Sequence, residues 1–371
     1  MEPKRIALGL VEDFVQKVSM GAGIPEDDAK IVAEVLVQAD KFGFDSHGVN
    51  RLKPIYLDRI KEGIMNPLTQ TEVVRQGPTT ALIDGHNGMG QVISYHAMRL
   101  AIEKARNFGM GMVAVRNSNH YGFAGYYPLM AVGQNMIGIT GTNARPSVAP
   151  TFGVENMLGT NPLTFAMPSD EPFPFLLDCA TSIAQRGKIE LYARLGKDLP
   201  EGWVIDHTGQ TKTDSREVLK DLIAEQAALM PLGGPGEENA GYKGYGYATV
   251  VEILSAALQQ GAFMKMLMGI KDGKKIPYPL GHFFIAIDIA AFTEPEDFRK
   301  TTGDILRELR ASKKMPGYQR IYTAGEKEYY TSLDRNERGL PFNPTLLGEF
   351  RGLCHEYGLN EYLEVFQEGD L

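Results

Sequence analysis

Two histidines stand among residues able to do chemistry together. His47 lies in Asp45-Ser46-His47-Gly48-Val49-Asn50-Arg51, with a hydroxyl beside it and a guanidinium four residues on; His120 closes the polar run Asn117-Ser118-Asn119-His120. An imidazole titrates near neutral pH and can carry a proton to or from a carbonyl oxygen, as hydride transfer or enolisation requires. Capping a helix or bonding a backbone carbonyl is the other role open to each. Arg51 and Arg145 could each hold a carboxylate through two parallel N–H bonds, or form a surface ion pair. Asp178, at the end of an apolar run, could accept from a ribose hydroxyl or cap a helix starting near Ser182. His86, His96, His207, His282 and His355 lack comparable neighbours and read as structural. There is no HExxH, no CxxC pair and no GxSxG, so neither a metal site nor a serine nucleophile is expected.

Positioning these groups requires strands that end at a common crevice. Met112 to Val115 is a buried-strand pattern running into Asn117–His120, and Met136 to Thr140 is a second, ending in Thr142-Asn143-Ala144-Arg145. Apolar runs with polar tips are what strand ends facing a ligand crevice look like in α/β proteins. Before them the spacing predicts helices over Ile6–Val18, from Pro25 to Ala39 and over Pro54–Glu62, strands Glu72–Arg75 and Ala81–Asp84, and a helix Met89–Phe108. After them come expected strands Leu163–Met167 and Phe175–Leu177, a helix Ile183–Leu195, and a polar, loop-like stretch from Leu199 to Met230. A helix Ala248–Leu258, a strand Phe283–Ile289, a helix Glu294–Ser312, and a strand with two helices over Ile321–Leu371 complete the pattern. No GxGxxG follows a strand. The nearest substitute is Gly241-Tyr242-Lys243-Gly244-Tyr245-Gly246 before a helix, which reads either as a pyrophosphate cradle or as a flexible loop.

The totals bound the rest. A chain of 371 residues can hold two or three lobes, and 43% hydrophobic with 23% charged residues is globular composition. A net charge of −8 disfavours nucleic acid and anionic membrane as partners. Two cysteines, Cys179 and Cys354, without metal spacing point to a reducing compartment, and the start lacks a signal-peptide core, so a cytoplasmic protein is expected.

Taken in order, Asp45-Ser46-His47-Gly48-Val49 with Arg51, Asn117-Ser118-Asn119-His120-Tyr121-Gly122 with Gly125, Gly159-Thr160-Asn161-Pro162 and Asp178-Cys179-Ala180-Thr181-Ser182 form a set. So do Arg186-Gly187-Lys188, Leu199-Pro200-Glu201-Gly202-Trp203, Pro231-Leu232-Gly233-Gly234 and Tyr242-Lys243-Gly244-Tyr245-Gly246. The whole resembles the malate/L-lactate dehydrogenase family of the non-Rossmann type, over nearly the full chain. The resemblance implies an α/β, non-Rossmann NAD(P)-binding fold with a large mixed sheet flanked by helices and a helical lobe built from the N- and C-terminal segments. It divides the chain at 1–70 (acid/base loop), 71–125 (substrate and sheet lobe), 126–310 (cofactor lobe) and 311–371 (C-terminal segment returning to the first helices). It implies His47 as acid/base with Ser46 beside it, His120 as a second proton carrier, and Arg51, Thr160, Arg186 and Gly187 for the substrate. For the cofactor, NAD more than NADP, it implies His120, Tyr121, Gly122, Phe123, Ala124, Asp178, Cys179, Ala180, Lys243, Gly244, Gly325 and Glu326. Ala324 stands where relatives commonly carry proline, and Lys188 where the piperideine reductases carry aspartate, which disfavours an imine substrate. A homodimer with the site near its interface is implied as well.

The expected reaction interconverts a small 2-hydroxy acid and its 2-keto acid, L-malate and oxaloacetate first. Lactate, sulfolactate, ureidoglycolate or a keto sugar acid are the alternatives on the same scaffold. A non-redox lyase or isomerase acting on a 2-keto acid, and a binding module without catalysis, are the alternatives of other classes.

Overall fold

The structure is a computed structural model and describes residues 3–367. In chain order the first elements are β1 (Lys4–Ile6), α1 (Leu8–Gly21), α2 (Glu26–Lys41), a π turn over Leu52–Leu57, α3 (Asp58–Lys61), β2 (Glu72–Gln76), β3 (Thr80–Asp84) and α4 (Gly90–Phe108). Then follow β4 (Met110–Ser118), α5 (Tyr126–Val132), β5 (Met136–Thr142), β6 (Leu163–Met167), β7 (Phe175–Cys179), α6 (Arg186–Arg194), β8 (Val204–Asp206), α7 (Ser215–Ile223), β9 (Ala227–Leu229) and α8 (Gly241–Ala256). The last are β10 (Ile270–Lys271), β11 (Lys274–Lys275), β12 (Leu280–Asp288), α9 (Pro295–Ala311), α10 (Glu326–Arg338), β13 (Leu340–Phe342) and α11 (Pro344–Tyr357).

Seven strands form one mixed sheet in the order β2-β3-β4-β12-β5-β6-β7, in which only β3 and β4 run parallel. The expected boundary at 125/126 runs through this sheet, because β12 arrives late in the chain and pairs with β4 on one side and β5 on the other. Its insertion brings the polar tips of β4 and β5 to the same end of the sheet. Buried side chains of α4 and α5, Ile93, Ala97, Ala101 and Tyr127 among them, cover it together with Val113, Val115 and Phe284. A second core joins the two ends of the chain: β1 pairs with β13, and the buried Phe14 ring lies 4.7 Å from Phe366 and 5.2 Å from both Phe350 and Tyr362. A third gathers Val148, Ile189, Val204, Val218, Leu229 and Ala248 around α6, α7 and the β8–β9 pair.

Three local expectations change. The helix expected from Ile183 begins only at Arg186, because the Ile183 N–H is donated to the Met230 carbonyl at 2.9 Å and holds that segment extended. The stretch read as loop holds β8, α7 and β9; Asp214 caps α7 by accepting from the Arg216 and Glu217 N–H groups, both at 2.9 Å. The glycine run is part of α8 itself, since a Cβ on Gly241 would sit 1.9 Å from the Gly234 carbonyl oxygen and one on Gly244 2.2 Å from that of Leu232. Residues 368–371 of the expected C-terminal segment lie outside the described residues.

Candidate active site

The His47 loop is built from below and from behind. The Asp40 carboxylate, buried at the end of α2, accepts the Val49 N–H at 2.9 Å, and Gly48 leaves the space, for a Cβ there would fall 1.8 Å from Asp40 Oδ1. Burial pushes the Asp40 carboxyl up to about 8, against the Val49 hydrogen bond and the nearby Arg335 charge. Arg335, from α10, donates to the Asp40 carbonyl and grips both oxygens of Asp45, the Nη2–Oδ2 contact being 3.0 Å. Arg51 Nε donates to the Ser46 carbonyl at 2.5 Å and closes the loop on itself. His47 Nδ1 meets Ser46 Oγ at 2.8 Å.

The facing wall is the tip of β4. Asn119 donates to the Gly88 and Asn87 carbonyls at 2.9 and 3.1 Å, which fixes the chain just before His120. His120 Nδ1 lies 3.2 Å from the Gly122 N–H and 2.7 Å from the Tyr56 hydroxyl. A backbone N–H can only donate, so Nδ1 is an acceptor and the neutral ring carries its proton on Nε2; the tautomer follows from the hydrogen-bond network. Tyr56 reaches this point from the π turn, where Pro54 supplies no N–H for a regular helical ladder.

The two rings stack with centroids 5.7 Å apart and planes 13° from parallel, and neither Nε2 forms a hydrogen bond among the described residues. Burial, helped by the Arg51 charge, holds His47 down to about 4; burial, then the charges of His47, Arg59 and Arg51, lowers His120 as well. Both imidazoles are therefore neutral at pH 7. His282, buried between Ser118 Oγ (2.8 Å) and Thr142 Oγ1 (2.7 Å) and stacked on Tyr121 at 4.7 Å, ties the tips of β4 and β5 together.

His47 and His120 share a cleft of ≈ 680 Å³, its open mouth included, with Tyr121, Gly122, Phe123, Ala124, Thr160, Asp178 and Ala180. These were all expected there. Thr142, Asn143 and Ala144, expected at the polar tip of the second strand, and Pro162 of the Gly159–Pro162 run also line it, and Phe44, Gln185 and Leu280 complete the lining. Asp178 does not cap a helix: its Oδ2 accepts the Gly125 N–H at 2.7 Å and its Oδ1 the Thr164 hydroxyl at 3.3 Å, fixing the turn after His120. Burial pushes its carboxyl up to about 6.

The remaining expected residues lie elsewhere. Arg186 turns away to Glu190 at 3.0 Å, leaving Gln185 on the cleft, while Gly187 packs beside Ser46, with Cβ to Cβ at 3.4 Å were a side chain present. Lys243 is exposed on α8, Gly244 packs on Leu232, and Cys179 Sγ faces the Leu163 carbonyl at 3.9 Å. Gly325 abuts the Pro174 carbonyl, and the Glu326 carboxylate is taken by Arg320, Arg310 and the Thr323 N–H. Arg145 pairs with Glu225 at 3.5 Å, both half exposed. No group of three or more metal-ligating side chains, and no helix long and apolar enough to cross a membrane, occurs among the described residues.

The sequence profile of the malate/L-lactate dehydrogenase family matches residues 6–351. The chain belongs to that family. It is 45% identical over 346 residues to a malate dehydrogenase of Pyrococcus horikoshii, covering 93% of each chain. It is 39% identical over 365 residues to an L-sulfolactate dehydrogenase of Methanocaldococcus jannaschii, covering 96% of this chain and 97% of that one. The crystal structure of malate dehydrogenase from Entamoeba histolytica superposes with a TM-score of 0.93 at 43% identity, covering 96% and 99%. Membership makes the chain an oxidoreductase, implies a nicotinamide cofactor, and sets aside the lyase, isomerase and binding-module readings. The residues present fit such a group: Gly122, Ala124, Ala144 and Ala180 put small side chains on the cleft wall, and Asp178 there accepts the Gly125 N–H.

Proposed function

We propose that this dehydrogenase interconverts L-malate and oxaloacetate, with His47 as the proton carrier and His120 as a hydrogen-bond donor to the same oxygen. The observation that carries this is the stacked pair of imidazoles in one cleft, neither Nε2 bonded to a described residue. In the tautomer that donates Nδ1–H to Ser46 Oγ, His47 Nε2 is a free base that takes the hydroxyl proton in oxidation and returns it in reduction. His120 cannot take up a proton on Nδ1 without losing the Gly122 bond, so its Nε2–H serves to polarise and steady the oxygen. Arg51, whose Nε is spent on the loop, offers its terminal N–H groups to the substrate's C1 carboxylate. A bound nicotinamide supplies the hydride acceptor for malate and the donor for oxaloacetate.

The partly buried Asp178 on the cleft lining and the net charge of −8 favour NAD over NADP. The outward apolar residues of α8, Tyr247, Val250 and Ile253, support a homodimer, which light scattering would register as twice the chain mass. The free thiols Cys179 and Cys354 support a cytoplasmic setting.

The test is His47→Ala assayed with oxaloacetate and NADH. Turnover is expected to fall about 10²- to 10⁴-fold while NADH binding, read by fluorescence, is kept. Loss of NADH binding with turnover per bound cofactor unchanged would overturn the assignment.

A further inference from the structure

One charged group close to His120 has no assigned task. Arg59 lies in α3, three residues beyond Tyr56, the phenol that bonds His120. Its guanidinium lies over the Tyr278 ring at 4.1 Å. Tyr278 leads straight into Leu280, a residue of the cleft lining, whose N–H is donated back to the Tyr278 carbonyl at 2.7 Å. Arg59 thus lies between the segment that carries Tyr56 and the approach to β12, behind the cleft lining and close enough for its charge to act on His120.

Among the described residues the Arg59 guanidinium forms no hydrogen bond and no ion pair. The nearby acid, Glu62, is taken by Lys275 at 2.5 Å, and Arg145 adds like charge rather than relief. Its partly buried position lowers its hold on the proton, burial being the largest cause. A partly buried guanidinium with neither hydrogen bond nor ion pair, close to a substrate cleft in a chain of net charge −8, points to an anion supplied from outside. Arg51 and Arg59 flank Tyr56 on one continuous helical run, eight positions apart and on either side of the π turn. Arg145, half exposed and already paired with Glu225, is the weaker candidate.

We infer that Arg59 forms a second anion subsite that takes the distal carboxylate or sulfonate of the substrate, and so selects 2-keto acids with two acid groups over pyruvate-like ones. The inference rests on the 2-hydroxy acid reading of the same cleft. Losing a charge-assisted bond of this kind typically weakens recognition about 10- to 100-fold.

The experiment compares wild type with Arg59→Gln and Arg59→Lys. With NADH, kcat/KM for oxaloacetate in Arg59→Gln is expected to fall at least about tenfold further than that for pyruvate, with part of the preference restored in Arg59→Lys. In parallel, L-malate and L-lactate are titrated into enzyme saturated with NADH, where no hydride can move. The wild-type preference for malate is expected to shrink in the glutamine variant. Equal losses for both acids, or no change in either assay, would overturn the subsite. Wild-type turnover of oxaloacetate that ignores Arg59 leaves the malate reading standing and removes the subsite. An Arg59-dependent preference for malate binding, without oxaloacetate turnover, does the reverse.

Discussion

Tyr56→Phe separates a positioning role from a merely structural one. Tyr56 is fully buried, and its burial raises the phenol pKa, so it remains protonated and donates to His120 Nδ1 at 2.7 Å. Phenylalanine fills the same volume and removes only that bond. The Gly122 N–H remains at 3.2 Å, so Nδ1 keeps one weaker donor and the ring's preference for Nε2–H falls. A net hydrogen bond of about 0.5–1.5 kcal/mol, lost equally from the transition state, corresponds to roughly a 2- to 13-fold drop in kcat. Because no cavity opens, the melting temperature should move by no more than about 2 °C. The assay is NADH consumption with oxaloacetate, run on Tyr56→Phe, His120→Gln and the double variant. If Tyr56 acts through His120, its loss adds little once His120 is gone, and the cycle shows coupling. Additive losses in the double variant, or an unchanged kcat in the single one, would refute the reasoning.

Other consequences follow from groups buried in one protonation state. Burial holds His47 down to about 4 and His282 to about 3, against about 6.5 in the unfolded chain. The unfolded chain therefore binds more protons between these values, and stability present above pH 6.5 is lost as pH falls toward 4, about 3 kcal/mol from His47 alone. Urea midpoints at pH 7.5 and pH 5 check this, and equal midpoints would contradict it. Asp40 runs the other way: with its carboxyl pushed up to about 8, folding is favoured at low pH and weakened as pH rises through that value. Asp40→Asn keeps an acceptor for Val49 and should melt above wild type at pH 9, the gap closing below pH 5. Phe14→Ala should cost about 3–5 kcal/mol, because its ring touches Phe350, Tyr362 and Phe366 from the far end of the chain. A loss below about 1 kcal/mol by chemical denaturation would mean that the two chain ends do not share a core.

His47 and His120 could be read as a pair from sequence because each sits among small polar residues where a core histidine would not. The strands that carry them to one place were harder. β4 and β5 were visible as apolar runs with polar tips, but nothing local says that β12, some 140 residues later, lies between them. Short amphipathic elements disappeared for a related reason: α7 packs Val218, Leu219 and Leu222 inward over only 9 residues, too short a run to stand out in a polar stretch. Tyr56 was missed because a tyrosine beside Pro54 in a short helix has the look of packing. Its function depends on a π turn, and a wide turn of that kind leaves no periodic signature of its own.

The glycine-lysine motif shows where motif reading reaches its limit. A glycine is required wherever backbone must come close to something, and the requirement is identical whether that something is a phosphate or another loop. At Gly244 the approaching group is the Leu232 backbone, and at Gly325 it is the Pro174 carbonyl; in both cases a Cβ would fall within 2.4 Å of an oxygen of this same chain. The close approach that makes these positions glycine is thus already satisfied internally. Whatever Lys243 contributes to a bound anion must come from its exposed side chain on α8, a helix that also exposes Tyr247, Val250 and Ile253. If the chain forms the proposed homodimer, a Lys243→Ala variant that weakens NADH binding only in the dimer would assign the residue to a site completed across the interface. One that leaves binding unchanged in both states would remove it from the cofactor's contacts.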